Sequence, residues 1–242
     1  MLTCVPLTAR DRSALVDQAR ALAALRPDCI EWRADFVADL VPADVPVLLR
    51  DMAAAAPVPL IVTNRLAAEG GHRVQDEDHR VAILTAAAAT GIPALVDLEL
   101  ATAPPLAERV AAAAGQAGVA VIRSWHDFSA TPPVPTLLGT LRTMQSAGAA
   151  VAKVAVTPRT PEDVLALLTA GLEARRTFLE IPCILMSMGA LGAVSRFAGH
   201  FGSDLTFAVG LEASAPGQMD LELTRRGLQA LGLAGDSGEE RP

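Results

Sequence analysis

The sequence contains no tyrosine, and aromatic residues make up only 3% of it. So few flat rings argue against a surface that binds nucleic acid by stacking bases. Positive charge is also short: the net charge is −7, which argues against a phosphate-tracking face. No apolar run reaches the ~18 residues that cross a bilayer. The opening "MLTCVPLTARDR" has no basic stretch followed by an apolar core, so it does not read as a secretion signal. Together these absences suggest a cytoplasmic protein with neither nucleic acid nor membrane as partner. Cysteine is scarce too. Cys4, Cys29 and Cys183 are odd in number and lack metal-site spacing, which reads as three reduced, buried thiols and no metal.

Lysine is the sharpest scarcity. Of 20 Lys plus Arg, 19 are arginine, and Lys153 is the only lysine. The bias toward arginine reads as a coding preference. The exception is informative because arginine cannot lose its proton at accessible pH. Chemistry that needs a neutral primary amine must keep a lysine. Lys153 sits within "AAVAKVAVTP", an apolar, valine-alternating stretch that reads as a strand buried on both sides. Lysine is almost never buried without a partner.

What is present is apolar and periodic. Hydrophobic residues make up 51% of the 242 residues, enough for a large core. Short apolar runs predict strands over 3–7, 29–33, 59–65, 94–100, 119–126, 151–156, 183–188 and 205–209. Between them, Ala/Leu/Arg/Glu-rich stretches predict helices over 13–25, 44–55, 76–89, 105–114, 134–147, 161–174, 190–198 and 217–231. "TPED" at 160–163 offers an N-cap, a proline at the first helical position and early acids. Eight strand–helix units imply an α/β fold, a single-domain (β/α)8 barrel over residues 1–234. A doubly wound sheet is the alternative, but no G-x-G-x-x-G follows an early strand. The end, "GDSGEERP" over 235–242, reads as a disordered tail.

In such a barrel the C-terminal strand ends form the active-site mouth, and polar residues gather there in this sequence. The second strand ends "EWRAD", placing Glu31, Arg33 and Asp35 on one face. Arg65 ends the third strand and Glu69 follows it, Asp97 and Glu99 sit in "DLEL", and His126 ends the fifth. Met186 and Met188 fall in the seventh, with Arg196 after it, and Ser214 and Gln218 follow the eighth. Each alone has an ordinary structural explanation. Asp97 and Glu99 read as internal partners for buried positive charge, and the two methionines as barrel lining. The joint pattern is harder to explain structurally, because buried charges are costly unless they pair or function.

The set permits imine chemistry. A lysine in a dry site among cations gives up its proton more readily, and its amine can attack a ketone. The protonated imine acidifies the neighbouring carbon. A histidine can take that proton and pass one to a leaving hydroxyl. Arg196 can hold a substrate carboxylate. No cofactor is needed, because the lysine itself generates the electrophile.

The ordered motifs "EWRAD", "TNRLAAEGG", "DLEL", "SWHDF", "VAKVAV", "MSMGALGAVSRF", "FGSDLTF" and "SAPGQ" resemble type I 3-dehydroquinate dehydratase over nearly the whole chain. The resemblance implies Lys153 as the Schiff-base lysine and His126 as the general acid/base. It implies Glu31, Arg33 and Arg65 at the ring hydroxyls, and Arg196, Ser214 and Gln218 at the carboxylate end. It makes Glu69 and Asp35 further active-site acids. It implies a homodimer that converts 3-dehydroquinate to 3-dehydroshikimate by cis-dehydration, in the shikimate route to aromatic amino acids. Pro6 stands where family members often carry serine, and Asn64 where an aromatic residue is common. The competing readings are an aldolase-like imine barrel, a non-catalytic carboxylate binder, and a metal site using Glu31, Asp35, Asp97, Glu99 and His126.

Overall fold

Eight strands alternate with helices along the chain, and a computed structural model describes residues 1–234. The expected tail at 235–242 lies outside the described residues. The order is β1 (Leu2–Leu7), α1 (Arg12–Ala24), β2 (Cys29–Arg33), α2 (Val45–Ala55), β3 (Leu60–Thr63), α3 (Glu77–Ala89), β4 (Leu95–Glu99) and α4 (Pro104–Ala117). It continues with β5 (Ala120–Asp127), α5 (Val134–Ser146), β6 (Val151–Val156), α6 (Pro161–Thr177), β7 (Cys183–Ser187), β8 (Leu205–Phe207) and α7 (Leu221–Ala230). The predicted "TPED" start holds: Asp163 accepts from the Thr160 backbone N–H at 3.1 Å, and Pro161 opens α6.

All strand pairs are parallel, in the order β7-β6-β5-β4-β3-β2-β1-β8. The remaining seam, between β7 and β8, closes through mixed bonds. The Asp204 N–H donates to the Cys183 carbonyl at 2.7 Å, and the Cys183 N–H donates back to the Asp204 carboxylate at 2.7 Å. The Leu185 N–H donates to the Ser203 hydroxyl at 3.1 Å. The fold is therefore a (β/α)8 barrel.

The period of two divides each strand between two environments. Outward residues such as Val5, Leu7, Ile30, Trp32, Val62 and Val96 pack under the helices in one large apolar cluster. Val154, Val156 and Leu185 do the same on the other side, under α5 and α6. Inward residues Cys4, Cys29, Ile61, Ile122, Ile184 and Phe207 form an apolar floor inside the barrel. Burying each aliphatic side chain of this kind is worth about 1.5–3 kcal/mol. The three cysteines are free and buried. One step up the strands the inner face turns polar, with Glu31, Thr63, Asp97, Ser124 and Lys153 all buried.

Two expected helices are corrected. The stretch 190–198 is not an α-helix. A 3-10 segment, Ala193–Phe201, occupies this region and breaks at Phe197 and Ala198. Its Ser195 hydroxyl accepts from the Ser187 N–H at 2.8 Å and reaches the Ser187 carbonyl at 3.3 Å. Side chain-to-backbone bonds of this kind compete with the helical ladder. They also tuck the segment under β7, which turns Arg196 into the barrel. The second expected helix, 217–231, begins later, at Leu221. Asp220 caps it by accepting from the N–H groups of Glu222 and Leu223, and Gly217 has a left-handed φ of +74°.

Candidate active site

Lys153 points inward from the middle of β6, with Ser124 of β5 and Ile184 of β7 as its register neighbours. It is 3% exposed. Its Nζ donates to Asp97 Oδ2 at 2.7 Å and lies 3.6 Å from Glu31 Oε1. The amine also sits 4.7 Å from the centre of the Phe207 ring, on the apolar floor. The sequence suggested a lysine among cations, but its nearest charged partners are carboxylates. They are what allow a lysine to be buried here.

Asp97 is shared. Arg65 Nη1 and Nη2 donate to its two oxygens at 3.1 and 2.8 Å. Burial alone would raise the Asp97 carboxyl, but Arg65 and Lys153 hold it well below the usual carboxylate range. Arg65 Nη1 also donates to Glu99 at 2.9 Å and to the Ser124 hydroxyl at 2.8 Å. Glu99 in turn accepts from Arg80 at 2.6 Å. Asp97 and Glu99 thus serve as partners of buried positive charge, as their spacing suggested.

His126 ends the inner face of β5. Its Nδ1 lies 2.9 Å from Glu69 Oε2, and its backbone N–H donates to the same oxygen at 3.0 Å. Burial, with Arg65 and Lys153 nearby, pushes the imidazole well below its ordinary value. Burial, with the charge of Glu99, pushes the Glu69 carboxyl up to about 7. Burial thus favours the uncharged form of both groups, the imidazole by a downward shift and the carboxyl by an upward one, and displaced pairs of this kind are common where acid–base work is done.

Arg33 is fixed by a bidentate bond to Asp35, at 2.8 and 2.6 Å. Asp35 also accepts from the His72 N–H at 2.8 Å, which ties the loop after β3 to the end of β2. Arg196 differs from every other arginine of the site. It is 1% exposed, and among the described residues no carboxylate meets it. Nη1 contacts Met186 Sδ at 3.1 Å, Nη2 donates to the Pro216 carbonyl at 3.1 Å, and Nε finds no partner among the described residues. Burial lowers this guanidinium to about 10. A buried cation compensated this weakly leaves room for an anionic partner. Beside it, Gln218 accepts from the Ser214 N–H at 2.8 Å.

These groups surround one cavity, with about 480 Å³ of empty space counting its open mouth. Glu31, Arg33, Arg65, Glu69, His126 and Lys153 line one side. Met186, Met188, Arg196, Ser214 and Gln218 line the other. Asp35 is not among the lining residues: it is completely buried behind Arg33 and supports it. Pro6 is in register with Glu31 on the inner face and offers no hydroxyl. Asn64 does not line the cavity. Its amide pairs with that of Gln75, at 3.2 and 2.8 Å. Sequence reasoning missed Gly70, Phe128, Ala155, Phe207 and Ala215 in the wall. Gly70 carried a signal in its "EGG" motif. Its φ is +85°, and a Cβ there would fall 2.3 Å from the Phe128 ring.

Comparisons with known proteins agree with this geometry. The family model for type I 3-dehydroquinase matches residues 3–234. A 3-dehydroquinate dehydratase of Aromatoleum aromaticum is 41% identical over 234 residues, 95% of this chain and 90% of the relative. One of Bacillus velezensis is 39% identical over 230 residues, 94% of this chain and 91% of the relative. The crystal structure of 3-dehydroquinate dehydratase from Geobacillus kaustophilus superposes with a TM-score of 0.90 at 38% identity, covering 96% of this chain and 91% of that one. The barrel, the cavity and these likenesses lead to one conclusion: the chain belongs to the type I 3-dehydroquinase family.

Proposed function

We propose that the chain dehydrates 3-dehydroquinate through an imine on Lys153. The observation that carries this reading is the placement of one buried amine in the same cavity as a Glu69-held imidazole and a guanidinium that meets no carboxylate among the described residues. The Lys153 amine adds to the substrate ketone, and water leaves to give a protonated imine. His126, kept neutral by burial, takes a proton from the carbon next to the imine. The electron pair left behind expels the hydroxyl one carbon further on, and His126 returns its proton to that oxygen, releasing water. Hydrolysis of the conjugated imine frees the product enone and restores the amine. Glu69 engages Nδ1, so Nε2 is the nitrogen left for proton transfer. Arg196, with Ser214 and Gln218 beside it, holds the substrate carboxylate. Arg33, Arg65 and Glu31 face the ring hydroxyls.

A solved relative supports covalent chemistry in this fold. The type I 3-dehydroquinate dehydratase of Clostridium difficile, with a TM-score of 0.91 and 33% identity, carries covalently modified comenic acid. The same reading makes this chain a cytoplasmic homodimer, and light scattering checks its oligomeric state.

Borohydride reduction in the presence of 3-dehydroquinate, followed by intact mass and peptide mapping, tests the reading. A substrate adduct on Lys153 is expected. No adduct, or one confined to the amino terminus, overturns it. Growth of enone absorbance in the ultraviolet separates dehydration from aldolase-like imine chemistry.

A further inference from the structure

Arg80 is buried, charged and absent from the cavity wall. It is 1% exposed and sits on α3, in the helical layer outside the barrel. All five of its N–H groups are used. Nε and Nη2 donate to Glu77 at 2.9 Å each, Nη2 to the Thr102 hydroxyl at 2.8 Å, and Nη1 to Glu99 at 2.6 Å and the Asn64 carbonyl at 3.0 Å. Packing alone does not call for such a group, since an apolar side chain buries at lower cost.

Its partner shows what the cation does. Glu99 gives Oε2 to Arg80, and gives Oε1 to Arg65 and the Leu66 N–H. Arg65 holds Asp97, and Asp97 holds Lys153. Alternating charges therefore run from the barrel axis through Lys153, Asp97, Arg65, Glu99 and Arg80 to Glu77, whose side chain is 35% exposed. Each ion inside the row is shared between two partners, so a change at one contact is felt at the next.

We propose that Arg80 is a positioning residue for the imine chemistry, an inference that rests on the function proposed above. By drawing Glu99 outward it leaves Arg65 on Asp97, and so limits how tightly Asp97 grips the Lys153 amine. The charged and titratable groups around that amine are Cys4 on β1, Glu31 on β2, Arg65 beyond β3, Asp97 on β4 and His126 on β5. β7 and β8 present Met186 and Phe207 to the cavity. Without Arg80, Glu99 keeps only Arg65 and the Leu66 N–H. Arg65 moves toward Glu99, and Asp97 bears more fully on Lys153. The buried site also becomes more negative by one charge. Both changes favour the protonated amine.

The test compares wild type, Arg80→Met, Arg80→Lys and Glu77→Gln by pH profiles of kcat and of borohydride trapping. Trapping of wild type at Lys153 checks the underlying reading, and its failure removes both claims. In Arg80→Met the acid limb moves to higher pH by about one unit, and trapping at pH 7 slows about tenfold. KM changes little. Arg80→Lys restores the profile because it restores the charge. Glu77→Gln leaves Glu99 as the one carboxylate on Arg80 among the described residues and moves the limb the other way. A folded Arg80→Met whose profile overlays wild type overturns the inference, and so does a loss equal at every pH. If Arg80→Met does not fold, Glu77→Gln decides: a limb that stays in place, or moves to higher pH, overturns it.

Discussion

One carboxylate oxygen of Glu69 holds His126 twice, at the ring Nδ1 (2.9 Å) and at the backbone N–H (3.0 Å). The imidazole is thereby locked to the end of its own strand. The lock has a cost, because Glu69 is 6% exposed and its carboxyl is pushed from 4.5 up to about 7.

That shift predicts a stability penalty at high pH. Below pH 4.5 both folded and unfolded chains carry the proton, and Glu69 contributes nothing. As pH rises from 4.5 to about 7, the unfolded chain releases the proton and the folded one keeps it. Stability falls across that window by about 3 kcal/mol and stays lower above it. Glu69→Gln has no such proton. It should melt higher than wild type at pH 8 and lose that advantage toward pH 4, while turnover falls. Melting temperatures that differ by the same amount at both pH values would contradict this.

Lys153→Arg keeps a cation between Asp97 and Glu31 and should fold with a normal circular dichroism spectrum. A guanidinium cannot form an imine, so turnover should vanish from the enone assay. Substantial remaining turnover would end the Lys153 mechanism.

His126→Ala separates the two chemical roles. The amine and the anion site remain, so borohydride should still trap substrate on Lys153. Turnover should fall by about 10²–10⁴-fold, the usual worth of general acid–base catalysis. Equal turnover would take His126 out of the reaction.

The barrel and most of its mouth were legible in the sequence because two periods coincide there. Strand alternation placed Glu31, Arg33, Lys153 and His126 on inner faces, and βα connectivity brought their ends together. Other features could not be read that way. Asp35 has the same spacing as its neighbours, but its role depends on Arg33 folding back onto it. Arg80 lies on a helix and reaches the site through Glu99, a long-range contact that no local pattern encodes. The segment after β7 carries helix-forming residues, but Ser195 bonds to Ser187 and diverts it. Phe128 lines the wall only because Gly70 leaves room for its ring.

Arg196 offers the clearest opposition between stability and binding. The folded protein buries its guanidinium against a thioether and a carbonyl, with Nε unpartnered among the described residues and no carboxylate near it. Replacing a poorly compensated buried ion by an apolar side chain is often stabilising by about 1–4 kcal/mol. Arg196→Met should therefore raise the melting temperature. On the proposed function it also removes two charge-assisted hydrogen bonds to the substrate carboxylate, each worth about 1.5–3 kcal/mol. KM should rise by about 100-fold or more, and kcat should fall as well, since the carboxylate is carried on the carbon that loses the hydroxyl. Acetate supplies an independent readout. At fixed ionic strength, replacing chloride by acetate should stabilise wild type by filling the anion site, and leave Arg196→Met unaffected. A variant that melts lower than wild type while responding equally to acetate would show that the guanidinium serves the fold and not the ligand.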